Sequence, residues 1–188
     1  AERATFPLAA LTAWQAVVAH ARIGAGERVV VLGGAGAVGV FAVQFAAAFG
    51  AHVVATAARE HAAFVHDLGA DEVVDLATES LDSRVSGVDV VIDYLWGESA
   101  LALLTAAARS GPAGRPMRLV QVGAVTGADI ALPAALLRSS AIMMMGSGLG
   151  SVSLDALMEA IAGVMQAAVP AGLQIATDPV PLARLEAV

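Results

Sequence analysis

The hydrophobic positions change their period along the chain, and each change marks an element. Over 8–21, Leu8, Leu11, Trp14, Gln15 and Val18 fall on one helical face, and the helix they predict ends near Gly24 and Gly26. The run 28–32 is a short apolar strand, 37–49 an alanine-rich helix stopped by Gly50, and 52–56 a second strand. The alternation then repeats: a helix over 59–68 closed by Gly69, strands at 72–74 and 88–92, and a helix over 98–108. After a Gly- and Pro-rich loop at 110–116 come a strand at 118–122, a helical turn at 134–138, a strand at 141–145 and a helix at 154–168. Six strands alternating with helices predict an α/β fold, a doubly wound parallel sheet with helices on both faces.

From 29 to 58 the chain carries no Asp, Glu, Lys or Arg. That length would satisfy a crude test for a membrane span, but five glycines interrupt it and its character shifts from valine to alanine and back. A strand, turn, helix and strand interior to a covered parallel sheet read this way, and no membrane partner is expected.

Composition narrows the chemistry. The 188 residues are 58% hydrophobic and 14% charged, which suits one domain around a large core. All ten basic residues are arginine, so a Walker A lysine and a Schiff-base lysine are excluded. Without cysteine there is no thiolate nucleophile and no cysteine-ligated metal within the chain. A net charge of −7 with scattered arginines gives no phosphate-neutralising stripe, so nucleic acid is not an expected partner, and a cytoplasmic location fits best. The histidines at 20, 52, 61 and 66 fall at no metal-binding spacing and read as ordinary surface or half-buried residues.

The sharpest motif is Gly33-Gly34-Ala35-Gly36-Ala37-Val38-Gly39, in which Gly34, Gly36 and Gly39 match G-x-G-x-x-G between a strand and a helix. The three glycines allow a tight turn, close approach of a pyrophosphate, and close packing of helix on strand. Free N–H groups near Ala37 and Val38 would then meet the anion at the positive end of the helix. An NAD enzyme usually carries an acid ~20 residues on, at the end of the second strand. Here Thr56 stands there, with Arg59 three residues later placed to pair with a 2′-phosphate. This favours NADPH over NADH, unless Arg59 only opens a solvated helix, paired with Glu60 or Asp67. S-adenosylmethionine methyltransferases share the glycine turn but want an acid where Thr56 stands.

Leu11-Thr12-Ala13-Trp14-Gln15-Ala16, Gly26-Glu27-Arg28-Val29-Val30-Val31, the glycine turn, Leu68-Gly69-Ala70-Asp71, Val90-Val91-Ile92-Asp93, Val120-Gln121-Val122-Gly123 and Gly146-Ser147 form a connected series. Together they resemble the medium-chain dehydrogenase/reductase superfamily, and within it the quinone oxidoreductase branch. The resemblance implies a Rossmann fold and hydride transfer from NADPH to a quinone or an α,β-unsaturated carbonyl. It implies residues 1–22 as a helix linking from a catalytic domain, 23–180 as the nucleotide-binding domain and 181–188 as the start of the return to that catalytic domain. By position it puts the Ala37 and Val38 amides on the pyrophosphate and Thr56 and Arg59 at the adenosine end. The turn after Asp93 then falls beside the ribose, and Val122, Gly123 and Ala124 near the nicotinamide. Zinc-dependent members carry a cysteine ahead of the Thr-Ala-Trp helix where this chain has Leu8, so no catalytic zinc is expected. The methionine-rich strand 141–145 implies pairing with its mate in a homodimer. Gly146–Ser151 reads as a flexible turn with Ser153 capping the next helix. The rival readings are a zinc-type alcohol dehydrogenase, an enoyl-reductase module of a polyketide or fatty-acid synthase, and a non-catalytic NADPH-binding module.

Overall fold

The valine-rich runs pair as strands. In the computed structural model, which describes residues 6–110, 114–177, 180, 181 and 184, β1 (Arg28–Leu32), β2 (His52–Thr56), β3 (Glu72–Val74), β4 (Val90–Asp93), β5 (Met117–Gln121) and β6 (Ile142–Gly146) form one sheet. Its order is β3-β2-β1-β4-β5-β6 with every neighbouring pair parallel. The chain winds outward from β1 in one direction and from β4 in the other, which opens a crevice above the carboxyl ends of those two strands.

Helices cover both faces. On one lie α1 (residues 6–20), α2 (Gly39–Ala48), α3 (Ala62–Asp67) and α6 (Leu154–Ala167); on the other lie α4 (Gly97–Ser110) and α5 (Ala134–Arg138). α1 is α-helical only at Leu11–Trp14 and more widely wound on either side. Its Ala10, Ala13, Ala16 and Val17 are fully buried against the first face, so the helix expected as a link is built into the core. α2 is buried on every side from Gly39 through Ala46, which explains the charge-free stretch around it. No helix of the described residues is long and apolar enough to cross a membrane.

Boundaries moved where turns compete with the strands. α2 begins at Gly39 rather than at 37, because Ala37 and Val38 stay in the glycine turn. β4 begins at Val90, two residues later than expected, because Asp89 is drawn to the Arg28 N–H and the Arg115 guanidinium. Residues 59–61 form a single tight turn before α3. Ser153 does cap α6, its hydroxyl accepting from the Ala156 N–H at 3.2 Å. Residues 111–113 of the glycine–proline loop, and most of the expected return segment 181–188, lie outside the described residues.

One buried polar side chain closes the first face. Gln44, in the middle of α2, donates to the Gln174 carbonyl at 2.8 Å and accepts from the Gln174 N–H at 2.7 Å, so its amide acts as a strand partner for the segment after α6. Gln44→Ala leaves both backbone groups without their partner and is expected to cost about 2 kcal/mol of stability, measured by denaturant unfolding.

The charges gather at the amino ends of the strands. Glu72 on β3 receives Arg28 at 2.8 Å, His52 at 3.0 Å and the Arg84 guanidinium. Arg115 pairs with Asp89, while Arg118 joins Glu27 and the Ala21 carbonyl. The His52 hydrogen bond, followed by those of Arg28 and Arg84, pulls Glu72 down to about 2 from 4.5 against the opposing effect of burial. A depressed carboxylate contributes stability that is fully present above its ordinary value and lost as pH falls through the depressed one. The loss of melting temperature between pH 4.5 and 2 is therefore expected to be shallower in Glu72→Gln than in the parent, with the variant the less stable of the two at pH 7.

Candidate functional site

The glycine turn is held from below by one residue. Thr56, the last residue of β2, accepts the Gly33 N–H on its hydroxyl at 2.8 Å and the Gly34 N–H on its carbonyl at 2.8 Å. The turn therefore sits directly on the neighbouring strand. Gly39 then passes so close to Gly33 that a Cβ would overlap the Gly33 carbonyl oxygen, and the third glycine is a steric necessity. The Ala37 and Val38 N–H groups find no acceptor among the described residues and lie just ahead of the first turn of α2. They have the chemistry of an anion cradle.

Two cavities meet at this turn. One, of about 270 Å³, lies over the end of β2 and is lined by Gly33, Ala35, Gly36, Thr56, Ala57, Ala58, Asp75, Leu76, Ala77 and Leu95. The other, of about 390 Å³, runs toward β5 and is lined by Thr12, Gly36, Ala37, Val38, Gly39, Tyr94, Leu95, Val122, Gly123 and Val125. Gly33, Gly36 and Leu95 belong to both, so the two cavities adjoin across the turn, and the free amides of Ala37 and Val38 belong to the residues lining the second.

Several expected residues have other tasks. Asp93 ends a central strand, fully buried, with Oδ1 accepting the Leu95 and Trp96 N–H groups at 2.9 Å. Its carbonyl takes the Val122 N–H at 2.8 Å. Burial raises its pKa, and the two backbone donors offset part of that rise. Asp93 thus shapes the rim from beneath, in a strand that lies between β1 and β5. Thr56 uses one lone pair of its hydroxyl on the Gly33 N–H, and its hydroxyl proton finds no acceptor among the described residues. Arg59 is exposed, one residue beyond the lining, and makes no ion pair with Glu60 or Asp67. Val122 and Gly123 line the second cavity, but Ala124 is exposed outside it and Val125 takes its place. Gly123 is confined by the Tyr94 carbonyl, which a Cβ would approach to 2.6 Å.

Sequence reasoning missed Asp75 and the turn at Trp96. Asp75 reaches the first cavity from β3, the strand beyond the one searched for an acid. Trp96 has a φ of 60°, left-handed for a bulky residue, and the Asp93 cap holds it there. Leu8, at the position where zinc-dependent members carry a cysteine, is an exposed residue of α1, and no group of three candidate metal ligands occurs among the described residues.

The comparisons agree with this geometry. The model of the zinc-binding dehydrogenase family matches residues 37–167, well over half of the chain. An NAD(P)H oxidoreductase of Danio rerio mitochondria, RTN4IP1, is 38% identical over 105 residues, covering 52% of this chain and 27% of its own length. A chloroplastic quinone-oxidoreductase homolog of Spinacia oleracea is 42% identical over 100 residues, 50% of this chain and 30% of that protein. Among solved structures, the CurK enoyl reductase superposes with a TM-score of 0.80 at 25% identity, covering 98% of this chain and 56% of that one. The chain thus spans under a third of the length of these curated relatives and about half of the solved enzyme. With a six-stranded doubly wound sheet, a glycine turn pinned to β2 and two cavities adjoining across that turn, the chain belongs to the zinc-binding dehydrogenase family of medium-chain dehydrogenases/reductases, on its quinone oxidoreductase-like side.

Proposed function

We propose that this chain is the nucleotide-binding domain of an NADPH-dependent reductase that delivers hydride to an α,β-unsaturated carbonyl or a quinone without zinc. The observation that carries the reading is the pair of cavities adjoining across the glycine turn, with the unpaired Ala37 and Val38 amides at the wall of the second. The amides bind the pyrophosphate and the β2-side cavity takes adenosine. Arg59 meets the 2′-phosphate, and Val122, Gly123 and Val125 wall the nicotinamide. When bound, the nucleotide supplies the hydride; this chain orients it and keeps water from its reactive face. The enoyl reductase that covers 98% of the chain supports the unsaturated carbonyl as substrate class.

The same reading includes a homodimer through β6. Among the described residues that strand pairs with β5 alone and leaves Met143 at 48% exposure on an apolar outer edge, which folded proteins rarely leave bare. Two outcomes test the reading. NADPH is expected to bind with a rise in nicotinamide fluorescence, and Arg59→Ala to weaken it about tenfold with little effect on NADH; absence of NADPH binding overturns the reading. Met143→Lys is expected to convert a dimer to a monomer in sedimentation without loss of melting temperature.

A further inference from the structure

The end of β2 carries no acid, yet the structure brings one to the same place from the next strand. Val74 on β3 pairs with Thr56, and the Ala57 N–H donates to the Val74 carbonyl at 3.1 Å. Asp75, the following residue, therefore stands beside Ala57 and Ala58 and lines the β2-side cavity with them. Its carboxylate is already oriented: Oδ1 accepts the Ala77 N–H at 3.0 Å, and the Asp75 carbonyl accepts the Thr78 and Glu79 N–H groups at 3.0 and 2.8 Å. The other oxygen accepts no hydrogen bond, and Asp75 joins no ion pair among the described residues.

An oriented carboxylate with one free oxygen at the wall of an adenosine cavity is an acceptor for a ribose hydroxyl. Toward a phosphate it is the reverse, a like charge at close range. The adjoining cavity of about 620 Å³ shares Leu76 and Leu95 and adds Glu79, Asp82 and Glu98, none of them ion-paired. Arg59 follows Ala58, a lining residue of the first cavity, and is exposed.

We propose that Asp75 is a specificity-determining residue that accepts a hydrogen bond from the adenosine ribose hydroxyl, so that β3 supplies the carboxylate β2 lacks. The assignment rests on the nucleotide reading above. Arg59 and Asp75 then oppose one another, the first favouring NADPH and the second keeping NADH bound.

The test is a fluorescence titration of the chain with NADH and NADPH in four forms: unaltered, Asp75→Asn, Asp75→Ser and Glu98→Gln. Asparagine and serine both keep an oxygen for the Ala77 N–H, so the turn survives; melting curves check this. Asp75→Asn and Asp75→Ser are expected to shift the NADH-to-NADPH affinity ratio toward NADPH by about tenfold, chiefly through weaker NADH. Glu98→Gln, which alters the field but not the contact, is expected to leave the ratio within about twofold. An unchanged ratio in the Asp75 variants overturns the assignment while the nucleotide reading stands, and so does an equal shift in Glu98→Gln. If the unaltered chain binds neither nucleotide, the reading falls and the assignment with it.

Discussion

The backbone of Gly33 and Gly34 hangs on Thr56, and the rest of the upper face follows from that attachment. Two short hydrogen bonds tie the turn after β1 to the end of β2, so the turn cannot rise into the space that a ligand would need. α2 must then leave at once and pass against the turn it came from, which only glycine permits at position 39. The consequence is a helix preceded by two free amides beside a cavity and buried from Gly39 through Ala46. A side chain at 39 would displace the turn from Thr56 or the helix from the sheet, and either movement closes the cavity.

The two ends of the sheet are built on opposite principles. At the amino ends, Glu72, Arg28, His52, Arg84, Asp89, Arg115, Glu27 and Arg118 pair with one another. Such partly exposed pairs contribute modestly each, but as a network they seal the strand ends that face away from the cavities. At the carboxyl ends the polar groups stand apart. The acids Asp75, Glu79, Asp82 and Glu98 have no cationic partner among the described residues, and Arg59 has no anionic one.

Much of this was legible in the sequence, and the exceptions have a common cause. Strand runs of β-branched residues, the glycine spacing and the Ser153 cap are local signals, and the sheet, the turn and the cap stand where those signals put them. What escaped notice depends on strands that meet only in three dimensions. Asp75 lies nineteen positions after Thr56 in the chain but at the same wall of the same cavity, because β2 and β3 are parallel and in register. The resemblance put the turn after Asp93 beside the ribose, without showing what the Asp93 carboxylate itself does. Only the position of β4 inside the sheet shows that it is buried beneath the turn it caps. Gln44 sits in an apolar helix with no local reason to be polar; its partner is 130 residues away.

Part of the remaining cost of the fold falls at the carboxyl ends of the strands. Asp93 Oδ2, Tyr94 OH and Ser147 Oγ are buried without a hydrogen-bond partner among the described residues, and all three lie at or just beyond the carboxyl ends of β4 and β6. Burial alone lifts the Tyr94 hydroxyl well above its usual range, so it stays a neutral donor. Trp96 adds a left-handed backbone two residues further on. Unpaired buried polar atoms cost about 1–3 kcal/mol each, and a fold selected for stability alone would replace them with phenylalanine, alanine or a paired group. Gln15 Nε2 and His20 Nε2 of α1 are likewise buried without a partner among the described residues, so three of five such atoms gather at the carboxyl ends of β4 and β6 and the other two lie in the helix packed on the first face.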